Sequence, residues 1–179
     1  KLADDGQGIV QFSETSDPFG TKARLQLAGG YLDYTNNGNG GEITNDIEVV
    51  EGTTNILFTY NANFSFNSKL TGKGTLILND YQRGAQLSGD NSGFEGTLEF
   101  NTACGTGGAS GFNSYTAGSA SGTFSVVSSA HLNRGGSERT IYIQGTTSDN
   151  PIHLGAFNAV DGSYIQCRQD STDTRGNPV

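Results

Sequence analysis

The chain has 179 residues, enough for one domain with a sizeable core, and no shift in composition marks an internal domain boundary. Its 10 basic and 18 acidic residues give a net charge of −8, which argues against nucleic acids and anionic membrane surfaces as partners. Only 33% of the residues are hydrophobic, but they recur in a regular pattern, which argues against a disordered chain.

A glycine returns every 22 residues and opens a short run of strand character each time. The column consists of Gly8, Gly30, Gly52, Gly74 and Gly96, with Gly118 still in step. A repeat of this length without helical stretches is typical of one coil of a solenoid. We therefore predict an all-β fold, a single-stranded parallel β-helix with coils of about 22 residues.

The alternation along each run separates an inner face from an outer one, because side chains two residues apart share a face of a strand. Two mostly apolar columns are predicted to form the core: Val10, Leu32, Thr54, Leu76 and Leu98, and Phe12, Tyr34, Ile56, Leu78 and Phe100. The residues between them are predicted to face outward: Ile9, Tyr31, Thr53, Thr75 and Thr97, and Gln11, Asp33, Asn55, Ile77 and Glu99.

The first half of the chain also predicts a second strand in each coil, at 25–27 and 47–49, with turns at 16–20 and 35–41. In the strand-rich stretch 43–66, aromatic residues alternate with polar neighbours. A stripe for stacking carbohydrate is one interpretation of Phe58, Tyr60, Phe64 and Phe66; the alternation favours a place in the core.

After Phe100 the period loosens. Glycine, serine and alanine predict an enlarged loop around 101–121, and the pattern resumes four residues late at Gly122-Thr123-Phe124. Further strands are predicted at 139–144, 151–154 and 163–167. The β-helix is thus assigned to 1–167, followed by a polar tail or linker at 168–179.

The cysteines offer little redox or metal chemistry. Cys104 and Cys167 form no C-x-x-C pair and lie far in sequence from His131 and His153, so we expect no metal and no cofactor. A disulfide between the two cysteines and two free thiols both remain open. No apolar run is long enough to cross a bilayer, and the first five residues resemble no signal-peptide core. We therefore expect a mature product or a piece of a longer precursor, without membrane insertion in this segment.

Two stretches resemble a known family. Gly72-Lys73-Gly74-Thr75-Leu76-Ile77-Leu78-Asn79, with Leu87-Ser88-Gly89-Asp90-Asn91 and Gly96-Thr97-Leu98 after it, resembles the autotransporter-associated β-strand repeat. The stretch from Leu25 to Asp33, with Ile43 to Ile47, is similar to the same family, so the resemblance covers about residues 23–100. It implies an extracellular β-helix of a large bacterial surface or secreted protein, adhesin-like in role and without catalytic residues.

The sequence is compatible with three functions. The first is a structural and adhesive rod whose uncapped ends meet neighbouring domains or copies of the same protein, with surface glycans or other cell-surface ligands as further partners. The second is a polysaccharide lyase or glycosidase, with the candidate residues Asp80, Arg83, Asp90, Lys69 and Lys73, each of which is better explained as a solvated surface charge.

The third is an ice-binding solenoid, suggested by Thr53, Thr75 and Thr97 on successive coils. Their neighbouring outer column is not threonine, which favours an ordinary cross-strand ladder. The structural rod is the preferred prediction, and no enzyme activity is expected.

Overall fold

A computed structural model of the chain describes residues 8–13, 17–20, 23–37, 40–61, 64–80, 85–102, 110–112, 114–126, 139–143, 149–159 and 163–167. The strands are β1 (Ile9–Phe12), β2 (Leu25–Leu27), β3 (Gly30–Asn37), β4 (Gly41–Ile43), β5 (Ile47–Val49), β6 (Thr54–Asn61), β7 (Phe64–Phe66), β8 (Leu70–Gly72), β9 (Thr75–Asp80), β10 (Ala85–Leu87), β11 (Thr97–Thr102), β12 (Ser110–Phe112), β13 (Ser119–Val126), β14 (Arg139–Ile143), β15 (Leu154–Ala159) and β16 (Ser163–Cys167). One turn of 3-10 helix, Tyr115–Ala117, precedes β13.

The strands form three sheets around one core. The seven-stranded sheet has the order β1-β3-β6-β9-β11-β13-β15, the six-stranded sheet β16-β14-β12-β10-β7-β4, and the three-stranded sheet β2-β5-β8. Neighbouring strands within a sheet are parallel and come from successive coils. This topology confirms the predicted parallel β-solenoid, and β2 and β5 confirm the second strand of each early coil.

The coils are not equally long. In the seven-stranded sheet the pairs Ile9–Tyr31, Tyr31–Ile56, Ile56–Ile77, Ile77–Glu99 and Glu99–Ser125 give steps of 22, 25, 21, 22 and 26 residues. The last of these steps confirms that the pattern resumes four residues late, because Thr97 pairs with Thr123.

The third coil departs from the predicted register. Gly52 does not share the column of Gly30; it lies in an exposed turn with φ of +74°, and Asn55 pairs with Gly30 instead. The three extra residues are an odd number, and an odd shift exchanges the two faces of a strand. The prediction that Thr54 and Ile56 face inward is therefore wrong. Leu57 occupies the core, and the predicted outer residue Asn55 is buried beside it.

Among the described residues, the buried core extends from Phe12 in β1 to Ile141 in β14. Phe12, Leu32, Tyr34, Leu76, Leu78, Leu98 and Phe100, which the sequence assigns to the interior, are all buried. Phe12 pairs with Tyr34, Leu76 with Leu98 and Leu78 with Phe100, as predicted. Only the pairs that involve β6 differ from the prediction, because Leu57 pairs with both Leu32 and Leu78. Phe64 and Phe66 also lie in the core, as the alternation predicts.

Aromatic side chains fill two parts of this core. Phe12, Tyr34 and Phe64 pack with ring centroids 4.9 to 5.9 Å apart. Phe112 packs edge to face against both Phe100 and Phe124. Burial raises the pKa of the Tyr34 hydroxyl, because the charged phenolate is poorly solvated there.

The later part of the chain needs one correction. The range predicted as an enlarged loop around 101–121 contains β12, the 3-10 turn and the start of β13, and Phe112 and Ala117 are buried. Strands β14 and β16 confirm the predictions at 139–144 and 163–167, whereas β15 begins only at Leu154. Residue Cys104 and the tail at 168–179 lie outside the described residues, as does the Cys167 side chain.

Candidate functional surfaces

Two of the periodic glycines hold the coils at close distance. A Cβ atom on Gly96 would overlap the carbonyl oxygen of Gly74, and one on Gly74 would overlap the carbonyl oxygen of Val50. Both atoms belong to the preceding coil, so these corners require glycine for space. These two glycines therefore allow successive coils to pack closely, and the outer side chains of those coils are aligned as a result.

Buried asparagines connect successive coils. Asn91 Oδ1 accepts a hydrogen bond from Leu70 N of the preceding coil at 3.0 Å, and Asn91 Nδ2 donates to the Ala117 oxygen of the next at 2.9 Å. Asn55 similarly accepts from Gly29 N at 2.8 Å and donates to the Thr75 oxygen at 3.4 Å. These buried side-chain amides connect neighbouring coils by hydrogen bonds. They therefore support the strands that carry the outer face of the solenoid.

The outer face of the seven-stranded sheet is the largest regular surface among the described residues. Strand pairing arranges its side chains in three columns. The first holds Thr54, Thr75, Thr97 and Thr123, the second Ile9, Tyr31, Ile56, Ile77, Glu99, Ser125 and Asn158, and the third Gln11, Asp33, Phe58, Asn79 and Asn101.

The first coils of this face carry a cluster of apolar side chains, named here the outer stripe and consisting of Ile9, Tyr31, Ile56, Phe58 and Ile77. Ile9 is 62% exposed, and the other four are partly exposed. The Tyr31 and Phe58 rings lie nearly parallel, with an interplanar angle of 18° and centroids 5.8 Å apart. The alternation predicts Ile56 and Phe58 in the core, and the three extra residues between β3 and β6 turn them outward.

Polar groups flank the outer stripe. Gln11 Nε2 donates a hydrogen bond to Asp33 Oδ2 at 2.9 Å on the side of the first coil. On the other edge stands the threonine column, in which the structure places Thr54 rather than the predicted Thr53. The Thr53 hydroxyl donates to the Val50 oxygen at 2.6 Å within the turn. The neighbouring column continues as Ile56, Ile77 and Glu99, so threonines occupy one column only.

The residues considered for polysaccharide cleavage are divided between corners. Asp90 and Lys69 are exposed at one of them. Hydrogen bonds from the Ser92 hydroxyl and the Ser92 N–H lower the pKa of Asp90, with a smaller contribution from the Lys69 charge. A general acid requires the opposite shift.

Lys73 belongs to a different corner. Its Nζ pairs with Glu95 at 3.2 Å, and this hydrogen bond and charge raise the pKa of Lys73. Arg83 and the side chain of Asp80 lie outside the described part of the chain. The described candidates are thus exposed surface charges with their own partners.

Within the described ranges, no three or more His, Cys, Asp or Glu side chains are close enough together to hold a metal ion. No helix in the part of the chain that the structure describes has the length and hydropathy of a membrane span.

The two outermost strands of the seven-stranded sheet form a second type of surface. β1 pairs with β3 and β15 with β13, and each leaves one strand edge without a described partner. Val10 stands at the first position of the inner column and is 37% exposed, although Leu32 in the next coil is only 4% exposed. At the other end Phe157 is partly exposed and Ala159 exposed.

Comparison with known proteins gives no match to a family model, a curated protein or a solved structure. The outer stripe and the coil ends are therefore the two surfaces from which a function can be inferred.

Proposed function

We propose that this chain is a structural and adhesive module of a bacterial surface or secreted protein, a stiff solenoid that associates end to end with copies of itself. The extracellular location follows the resemblance of residues 23–100 to autotransporter-associated repeats. The rigid rod is supported by the inter-coil hydrogen bonds and by the tight glycine corners.

The exposure of the inner column at the coil ends is the observation that carries the proposal. Val10 faces the interior direction and pairs with Leu32, yet more than a third of it is accessible to solvent. A further coil on β1 would cover Val10 and provide hydrogen-bond partners for the strand edge. The last coil of a second copy ends the same seven-stranded sheet with β15, and its partly exposed Phe157 and exposed Ala159 can provide the apolar surface.

Such a contact joins one end of a copy to the other end of the next. A head-to-tail contact of this type leaves a free end at each step and therefore produces filaments unless the contacts close into a ring. Sedimentation velocity over a range of protein concentrations, with electron microscopy of the same samples, tests the proposal. Linear particles that lengthen with concentration are expected, and a monomer at every concentration would contradict self-association.

A pair of variants locates the contact. Val10→Lys introduces a charge on the end of the core and should abolish association, because the lysine would be buried without a partner. Gln11→Lys changes the next residue of the same strand, but its side chain lies on the outer face near Asp33. This control should associate like the unaltered chain, and circular dichroism establishes that both variants are folded.

The polysaccharide-cleaving enzyme remains an alternative hypothesis. Its candidates Asp90 and Lys73 have partners of their own, and no described contact joins them. Release of reducing ends or of unsaturated products from a polysaccharide panel would favour that alternative.

A further inference from the structure

The outer stripe is a surface where local sequence preference and fold disagree. On β6 the more apolar face, with Ile56 and Phe58, points away from the core, while Asn55 and Thr59 point into it and are buried. The buried Thr59 hydroxyl has no hydrogen-bond partner among the described residues, which corresponds to a cost of about 1–3 kcal/mol. A strand whose more apolar face is exposed in this way is expected at a functional surface.

The apolar character is confined to one part of the sheet. The second outer column is Ile9, Tyr31, Ile56 and Ile77 over its first four strands, and then changes to Glu99, Ser125 and Asn158. The same fold therefore tolerates polar residues at equivalent positions. The fold therefore does not require the isoleucines and the aromatic pair on this outer face. A contiguous apolar patch on an exposed surface marks an interaction site.

The charges around the outer stripe restrict its ligand. Across the described positions of the three outer columns there is no lysine, arginine or histidine, whereas Asp33 and Glu99 contribute carboxylates. An anionic ligand such as a nucleic acid or a uronic-acid polymer would meet only like charge. A second copy of the chain, with its own net charge of −8, is disfavoured on this face for the same reason.

We propose that the outer stripe binds a neutral oligosaccharide that lies along the solenoid axis. Sugar rings combine apolar C–H faces with hydroxyl groups at their edges. The Tyr31 and Phe58 rings and the isoleucines offer the apolar contact, and Asp33, Asn79 and the threonine hydroxyls offer acceptors and donors on either side. Because the two rings stack on each other, little side-chain entropy is lost when a ligand binds.

The inference rests on the adhesive part of the proposed function and names its ligand class, but it is independent of association at the coil ends. The first experiment applies the full chain to an array of neutral and acidic glycans, followed by titration of a soluble neutral oligosaccharide monitored by NMR. Binding to neutral glycans with signal changes at Tyr31 and Phe58 is expected. Binding to acidic glycans alone, or to no glycan, would overturn the proposal.

Variants then assign the surface. Tyr31→Ser and Phe58→Ser should each weaken oligosaccharide binding about tenfold. Ser125→Ala, in the same column but beyond the outer stripe, should leave binding unchanged. Thermal unfolding shows whether each variant is folded. If the serine variants are not folded, the NMR titration of the unaltered chain decides whether the outer stripe binds the oligosaccharide.

Association measured on the same variants separates the two proposals. Val10→Lys should abolish filaments and retain glycan binding. Tyr31→Ser and Phe58→Ser should weaken glycan binding and retain filaments. If the serine variants lose association and the unaltered chain binds no glycan, the outer stripe is a contact between copies and the glycan proposal is wrong.

Discussion

At the scale of single residues, the inter-coil asparagines make the sharpest prediction about stability. Asn91→Ala removes the partners of Leu70 N and of the Ala117 oxygen, both of which stay buried in neighbouring coils. We expect a loss of about 2–4 kcal/mol in the free energy of unfolding, since each buried group left without a partner costs about 1–3 kcal/mol. Denaturant unfolding measures it.

The control for this prediction is another asparagine of the same corner region. Asn67 is exposed, and within the described part of the chain its side chain donates to Glu42 Oε2 at 2.6 Å. Asn67→Ala should change stability by less than about 1 kcal/mol. Equal effects of the two substitutions would contradict the inter-coil role of Asn91.

The ionisation of Asp90 is a second property of a single residue. Ser92 stabilises the carboxylate by two hydrogen bonds, so the pKa of Asp90 lies below its usual value. The stabilisation is present above the usual pKa and is lost as the pH falls through the lowered one. Ser92→Ala should raise the pKa, as followed by NMR titration of the side-chain carboxyl. An unchanged pKa would show that the hydroxyl bond is absent in solution.

At the scale of elements, the corners test why glycine recurs. Gly96→Ala places a methyl group on the Gly74 carbonyl oxygen, so the two coils must move apart. We expect a loss of about 3 kcal/mol in the free energy of unfolding.

A second glycine of the same turn provides the matched control. A Cβ atom on Gly93 would meet only Thr71 Cγ2, at 3.7 Å, which is ordinary van der Waals contact. Gly93→Ala should therefore be neutral or raise stability by about 0.5 kcal/mol, because alanine restricts the unfolded chain. A similar loss from both alanines would mean that the steric explanation is wrong.

The register of β6 gives the second prediction for an element. Leu57→Lys puts a charge between Leu32 and Leu78, and the chain should be destabilised by about 4 kcal/mol or more. Ile56→Lys changes the adjacent residue on the outer face and should cost less than about 1 kcal/mol. Comparison of their thermal unfolding decides the register, and the opposite order would restore the inward assignment of Ile56.

This strand also shows what the sequence could and could not predict. The glycine period identified the solenoid, and Leu76, Leu78, Leu98 and Phe100 lie inside as the alternation indicates. Their faces are as predicted because the three extra residues between β3 and β6 are followed by a step from β6 to β9 that is one residue short. From Tyr31 to Ile77 the two changes together add two residues to the predicted spacing. Two is an even number, so the side chains return to the face that the sequence predicts.

The outer stripe was not predictable by the same reasoning. Within β6 the alternation alone favours Ile56 and Phe58 as core residues, since hydrophobic periodicity assumes that the apolar face is the buried one. Only pairing with Tyr31 and Ile77 shows that the face is reversed. The turn residues Glu51 and Gly52 before β6 were the available signal, because they make room for a lengthened corner.

For the whole molecule, the net charge opposes association between copies, whereas the proposed contact between coil ends favours it. Each copy carries a net charge of −8, so copies repel one another before the coil ends meet. The proposed contact at the partly exposed Val10 would be apolar, and salt would not weaken it. Because the Debye length falls from about 30 Å at 0.01 M to about 3 Å at 1 M ionic strength, salt removes the repulsion and leaves the attraction.

We therefore expect longer assemblies at high ionic strength, measured as a rise in weight-average sedimentation coefficient at constant protein concentration. The Val10→Lys variant provides the comparison, since without the end contact it should stay monomeric at every salt concentration. Assemblies that dissociate as salt is added would show that ion pairs join the copies. The contact would then lie on a charged face of the rod, and the exposed inner column at β1 would have to be covered by a different partner.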